Sequence, residues 1–200
     1  MADNVNILGE WEALAQLISG DFSETNGHFE SDDAISYLVD SAFYNTKSDA
    51  NINLKSIKLN VVSMGNFAFR SSRLERIYLP NLRQPSSYCF DGSTNLTLID
   101  LRSLITLGDH HLNACSSLTT IVLNSSVLTT LSNLNALTST KYATTGSGGA
   151  YVYVPRDLIA SYQAATNWAT LYAAHADMFR ALEDYTVDGT TTGEFDETKL

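Results

Sequence analysis

The chain has 200 residues, 44% hydrophobic and 17% charged, which is long enough for one domain with a real core and too apolar for a disordered acidic polymer. Twelve Lys and Arg against 22 Asp and Glu give a net charge of −10, which argues against a nucleic acid partner held by phosphate neutralisation. Two cysteines, Cys89 and Cys115, are too few for a disulfide framework and match no zinc spacing.

The opening Met1-Ala2-Asp3-Asn4-Val5-Asn6 has no basic region leading into an apolar run, and no stretch reaches the roughly 20 apolar residues of a membrane span. Export through a signal peptide and membrane insertion are therefore not expected, which leaves the cytoplasm, or a route out of the cell other than a signal peptide. Apolar residues over Leu8 to Ile18 and Ala34 to Tyr44 recur at helical spacing, the second run behind the polar starters Ser31-Asp32-Asp33. They predict an N-terminal helical cap or attachment arm over 1–50.

From 51 to 137 the chain repeats. Leu54-Ile57-Leu59, Leu74-Ile77-Leu79, Leu96-Ile99-Leu101 and Leu118-Ile121-Leu123 share the pattern Leu-x-x-Ile-x-Leu, with starts spaced 20, 22 and 22 residues apart. Ile and Leu two apart lie on one side of a strand, so each segment reads as a short strand with one buried face. A second apolar cluster follows each of the first three: Phe67 and Phe69, Tyr88 and Phe90, His110 and Leu112. Polar small-residue closures such as Asp91-Gly92-Ser93-Thr94-Asn95 then return the chain to the next strand. The expected fold is an α+β leucine-rich solenoid of about four coils with short parallel strands and helical caps at both ends.

Gly65-Asn66-Phe67-Ala68-Phe69, Leu107-Gly108-Asp109 and Cys115-Ser116-Ser117-Leu118-Thr119-Thr120-Ile121 resemble the BspA-type leucine-rich repeat family. The third coil departs from its pattern at His110-His111-Leu112, and Val127 to Leu137 has lost it. Residues 138–150, with Thr144-Thr145-Gly146-Ser147-Gly148-Gly149, read as a flexible loop. The stretch 151–185 resembles the closing unit of such proteins: a strand Tyr151–Val154, then a helix capped by Asp157 and carrying Leu158, Ile159, Tyr162 and Ala165, with Trp168, Leu171 and Tyr172 continuing its stripe. The acidic tail 186–200 is expected to extend from the body. Ten acids and one base precede residue 51, whereas 51–137 holds seven bases and four acids.

No phosphate loop, dinucleotide fingerprint, HExxH or GxSxG motif occurs. Asp109-His110-His111 near Cys115 is the one cluster with metal-binding or nucleophilic potential. The repeat register instead makes one imidazole a wall residue, with His111 its solvent-facing neighbour, and Cys115 a packed thiol. Neither catalytic residues, nor a metal site, nor a cofactor is expected. Alternation along the strands turns Ser56-Lys58-Asn60, Arg76-Tyr78-Pro80, Leu98-Asp100-Arg102 and Thr120-Val122-Asn124 outward. Lys58, Arg76, Tyr78, Asp100, Arg102 and Val122 form the candidate ligand-binding face, with Tyr78 its aromatic anchor.

The ending Arg180 to Glu194 is similar to proteins of phages and prophages of gut bacteria. The resemblance implies a non-enzymatic virion or tail-associated protein. Its partner would be a host cell-surface protein or glycan, or neighbouring virion proteins, and it could form a homo-oligomer. The alternatives are an intracellular protein–protein interaction scaffold and, behind it, a bacterial surface adhesin. A wall-glycan hydrolase would need an acid and a base facing one cleft, and no such pair can be placed.

Overall fold

The computed structural model describes residues 7–8, 27–45, 54–123, 126–187 and 190–191. Its main element is a parallel sheet running β1 (Ile7–Leu8), β2 (His28–Leu38), β3 (Ser56–Met64), β4 (Arg76–Tyr78), β6 (Leu98–Asp100), β8 (Thr120–Val122), β10 (Tyr151–Val154) and β11 (Phe179–Ala181). Short strands make a second side of the coils: β5 (Gln84–Pro85) pairs with the end of β3, and β7 (Thr106–Leu107) pairs with β9 (Thr130–Leu131).

Three apolar rows run across the main sheet. Ile57, Ile77, Ile99, Ile121, Val152 and Phe179 are successive register partners, and all are buried. Leu59, Leu79, Leu101, Leu123 and Val154 make the row two residues on, and Leu54, Leu74, Leu96, Leu118 and Ala150 line the approach to each strand. Each such side chain gains about 1.5–3 kcal/mol from burial, so the leucine pattern is the fold's main source of cohesion. The parallel strands need crossover chain between them, and each coil supplies it as an open turn rather than a helix.

The opposite wall is built from a repeated turn. Ser41, Phe67, Tyr88 and His110 all have φ between 55° and 62°, and four residues on, Asn45, Ser71, Gly92 and Ala114 also have positive φ. Between the two lies an inward pair: Ala42 and Phe43, Ala68 and Phe69, Cys89 and Phe90, His111 and Leu112. The wall is stitched by backbone bonds from Phe43 N–H to Ala68 O (2.6 Å), Phe69 N–H to Cys89 O (2.7 Å), Phe90 N–H to His111 O (3.0 Å) and Leu112 N–H to Ala136 O (2.9 Å). Phe43 stacks on Phe69 with ring centroids 4.8 Å apart, and Phe69 on Phe90 at 5.8 Å. Left-handed backbone at non-glycine residues carries a cost, and this stacking and bonding holds it in place.

Several sequence expectations change here. The helix over Ala34–Tyr44 is instead the end of β2 and the wall turn of a further coil. Ile35, Leu38, Ala42 and Phe43 fill the places that Val61, Met64, Ala68 and Phe69 fill in the next coil. Their spacing of three, four and one imitates a helix only because the chain turns a corner after Leu38. Residues 9–18 of the other expected helix lie outside the described residues. Val127–Leu137 keeps the coil despite losing the motif, with β9 paired to β7 and Ala136 and Leu137 buried in the wall. The 138–150 stretch, expected to be a flexible loop, is tied down by the buried Tyr142, which donates to Tyr151 O (3.0 Å), and by His175 Nε2, 2.7 Å from Ala143 O.

The C-terminal cap is two short helices, α1 (Ile159–Ala164) and α2 (Trp168–Ala174), broken at Asn167 with φ 66°. Asp157 does not cap α1; it lies in a 3-10 turn, Arg156–Leu158, ahead of it. Tyr162 and Trp168 are fully buried over the last coil. Asn167 Nδ2 donates to Leu131 O (2.9 Å), which explains the break: the residue leaves the helical path to bond the coil beneath. Of the tail, β12 (Thr186–Val187) and β13 (Thr190–Thr191) form an antiparallel pair, and residues 192–200 lie outside the described residues.

Candidate recognition surface

The register brings the candidate face together as the sequence pattern requires. Lys58, Tyr78, Asp100 and Val122 are successive partners across β3, β4, β6 and β8, and Tyr153 of β10 follows Val122. Arg76 lies one row over, between Ser56 and Leu98. Asn124 lies outside the described residues.

The exposure of this face is a correction. Tyr78 is 1% exposed, Asp100 1% and Val122 0%, so half of the six candidate residues are interior. Part of the cover comes from far along the chain. Tyr185, itself buried, packs edge-on against Tyr153 with centroids 4.8 Å apart. It lies close enough to Arg76 and Asp100 for both charges to act on its hydroxyl, whose pKa is raised chiefly by burial. Arg102 covers Asp100 directly, with Nη2 donating to Oδ2 at 2.6 Å and Nε at 3.1 Å. The outer row is thus a second packed layer. Arg76 remains exposed, and Lys58 and Arg102 are half-buried.

The open concavity lies just beyond this row, where the strands turn toward the second side of the coil. A groove of about 640 Å³ is lined by Asn60, Val62, Asn81, Arg83, Arg102, Ser103 and Ser126. Repetition positions these residues: Asn60, Asn81 and Ser103 occupy one coil position in three coils, and Val62 and Arg83 another. Arg83 N–H donates to Val62 O at 2.9 Å, which fixes the latter pair. Asn81 Nδ2 donates to Asn60 Oδ1, and Ser103 Oγ donates to Pro80 O. Asp100 clamps Arg102 from beneath. Sequence reading missed Asn81 and Arg83 because it followed the outward alternation only as far as the strands; continuing the 21–22 residue period into the turn would have aligned them.

The histidine cluster is structural. His111, expected to face solvent, is 3% exposed, and His110 takes the half-buried outward place. The register was right, but the turn at His110 reverses the faces. His110 stacks on Tyr88 (4.7 Å) and bonds Asp109 (2.8 Å), which holds the Asp109 carboxyl below its ordinary pKa. His111 Nδ1 accepts the Gly108 N–H at 2.8 Å, and burial pushes its pKa down to about 4. Cys115 is buried, with its thiol donating to Phe90 O and its pKa pushed up to about 12 by desolvation; Cys89 is raised further by the same cause. Neither is a ready nucleophile. Among the described residues no group of three or more His, Cys, Asp or Glu is placed to hold a metal ion, and no helix is long and apolar enough to cross a membrane.

A stack of short parallel strands in register, with wall turns repeating in step, defines a leucine-rich solenoid. The model of the BspA type leucine rich repeat region, in six copies, matches residues 22–141, and the chain belongs to that family. The match begins well before residue 51, in keeping with β2 as part of the repeat stack. No curated protein and no solved structure matches the chain. Leucine-rich repeat folds are in general non-enzymatic scaffolds that mediate protein–protein binding, and that general role is what the family establishes here.

Proposed function

We propose that this chain is a recognition module of a phage virion, tail-associated, that grips a ligand on the host cell surface. The observation that carries recognition is the open polar groove across the coils, built on a rigid scaffold and bearing two guanidinium groups. The virion assignment rests on the similarity of Arg180 to Glu194 to phage and prophage proteins of gut bacteria. Of the six residues of the sheet face, Arg102 lines this groove and Asp100 holds that arginine in place; Tyr78 and Val122 are packed in the row beside it, and Lys58 and Arg76 lie outside its lining.

No catalytic step is assigned. Asp100, the acid paired with Arg102 of the groove, is buried and committed to that guanidinium, so it is not available as a proton donor facing a substrate. Labelled full-length protein incubated with a panel of intact gut bacterial strains tests the reading. Strain-selective adsorption is expected; adsorption to none of them, or equally to all, overturns host recognition.

A further inference from the structure

Arg83 stands between two concavities. It lines the 640 Å³ groove and also a neighbouring depression of about 250 Å³ that contains Ser86, Thr106 and Asp109. The larger volume lies within the range of about 300–1,000 Å³ usual for small-ligand sites, and the two together make an elongated trough centred on this arginine. Arg83 is exposed, and its guanidinium makes no ion pair among the described residues. Arg102 differs, because Asp100 already balances its charge.

The charges along the trough therefore read plus at the centre, balanced at Arg102, and minus at Asp109, whose carboxyl His110 holds in its ionised form. Apart from Val62, the remaining lining of the larger groove is amide and hydroxyl: Asn60, Asn81, Ser103 and Ser126 offer donors and acceptors at intervals fixed by the coil repeat, while Pro85 and Ile105 add apolar surface to the smaller depression. Such a surface suits a polyhydroxylated ligand with one carboxylate at the centre. A guanidinium takes a planar carboxylate through two parallel N–H donors, and amide side chains match sugar hydroxyls as both donor and acceptor. A polyanion charged at every unit would meet Asp109.

We infer that this trough binds an acidic saccharide chain, with one unit's carboxylate on Arg83 and uncharged units on either side. The inference rests on the recognition reading above and names its ligand class.

Calorimetric titration of the full chain at low ionic strength tests it, with a tetrasaccharide of alternating glucuronate and N-acetylglucosamine as the probe. The comparison ligands are its carboxyl methyl ester, tetragalacturonate charged at every unit, and inorganic phosphate. Binding of the alternating tetrasaccharide is expected, weakened about tenfold or more by the ester or by Arg83→Ala, as a charge-assisted hydrogen-bond pair would be. Tetragalacturonate is expected to bind more weakly than the alternating chain. The proposal is overturned if the tetrasaccharide does not bind, if the ester binds equally well, if Arg83→Ala changes nothing, or if phosphate competes as well as the saccharide and marks a bare anion site. Loss of saccharide binding with strain-selective adsorption intact would discard this ligand and keep the recognition reading; saccharide binding without adsorption would keep this ligand and discard host recognition.

Discussion

The indole Nε1 of Trp168 donates to the backbone carbonyl of Thr129 at 2.8 Å, joining helix α2 to the last coil across 39 residues of sequence. The Thr129 N–H in turn donates to the Tyr162 hydroxyl at 2.9 Å, so both backbone groups of one buried residue are satisfied by the cap. An end coil must lose its exposed apolar face and its unpaired backbone groups together, and these two aromatic residues accomplish both. Trp168→Phe keeps most of the packing and leaves the Thr129 carbonyl unpaired. We expect a loss of about 1–3 kcal/mol of unfolding free energy, read from urea denaturation, with adsorption to cells retained.

His111 makes the fold sensitive to acid. Its folded pKa of about 4 lies below the unfolded value near 6.5, so between these two pH values the unfolded chain holds a proton that the folded chain does not. Stability from this site is full above about pH 6.5 and falls as pH drops toward 4, by about 3 kcal/mol in all. His111→Gln keeps an acceptor for the Gly108 N–H and has no proton to bind. Chemical denaturation across pH 4 to 7 should show a shallower slope in that variant; an unchanged slope would contradict the assignment.

Tyr78 tests the relocation of the surface. As an exposed anchor it would be replaceable without harm to the fold. At 1% exposure in the outer packed row, Tyr78→Ala should cost about 3 kcal/mol or more and lower Tm markedly. Arg76→Ala, one row over and exposed, should leave Tm within about 1–2 °C.

Gly65 closes the corner between β3 and the wall turn. An added Cβ would lie 2.6 Å from the Tyr37 hydroxyl and 2.7 Å from the Asp40 backbone nitrogen, while Asp40 Oδ1 accepts the neighbouring Asn66 N–H at 3.0 Å. Gly65→Ala should therefore destabilise the chain by about 1–3 kcal/mol through displacement of backbone, measurable as a lower urea midpoint with unchanged m.

The repeat made the rows of the sheet readable from sequence, since Ile57, Ile77, Ile99 and Ile121 recur every 20 to 22 residues at the same place in the Leu-x-x-Ile-x-Leu pattern, and that pattern sets their register. The same arithmetic extended backward would have found Ile35, Leu38, Ala42 and Phe43 at a constant offset of 26 from Val61, Met64, Ala68 and Phe69. A helical reading won there because a cornering coil places apolar residues three and four apart. The burial of Tyr78, Asp100 and Val122 was not legible, because Tyr185 lies 85 residues beyond Asp100 and no local pattern announces where it packs. The facing of His110 and His111 depended on a positive φ at a non-glycine residue, which sequence does not mark. Arg83 lay outside the alternating grid although it shares the repeat's period.

The central claim is that the coils present a ligand-gripping surface at the groove rather than on the sheet face. It is tested most directly by measuring adsorption of labelled wild type, Arg83→Ala and Arg76→Ala to one strain that the wild type binds. We predict that Arg83→Ala loses about tenfold or more in affinity at unchanged Tm, and that Arg76→Ala binds as the wild type does. Loss of binding in Arg76→Ala with full binding by Arg83→Ala would contradict the account and return recognition to the sheet face.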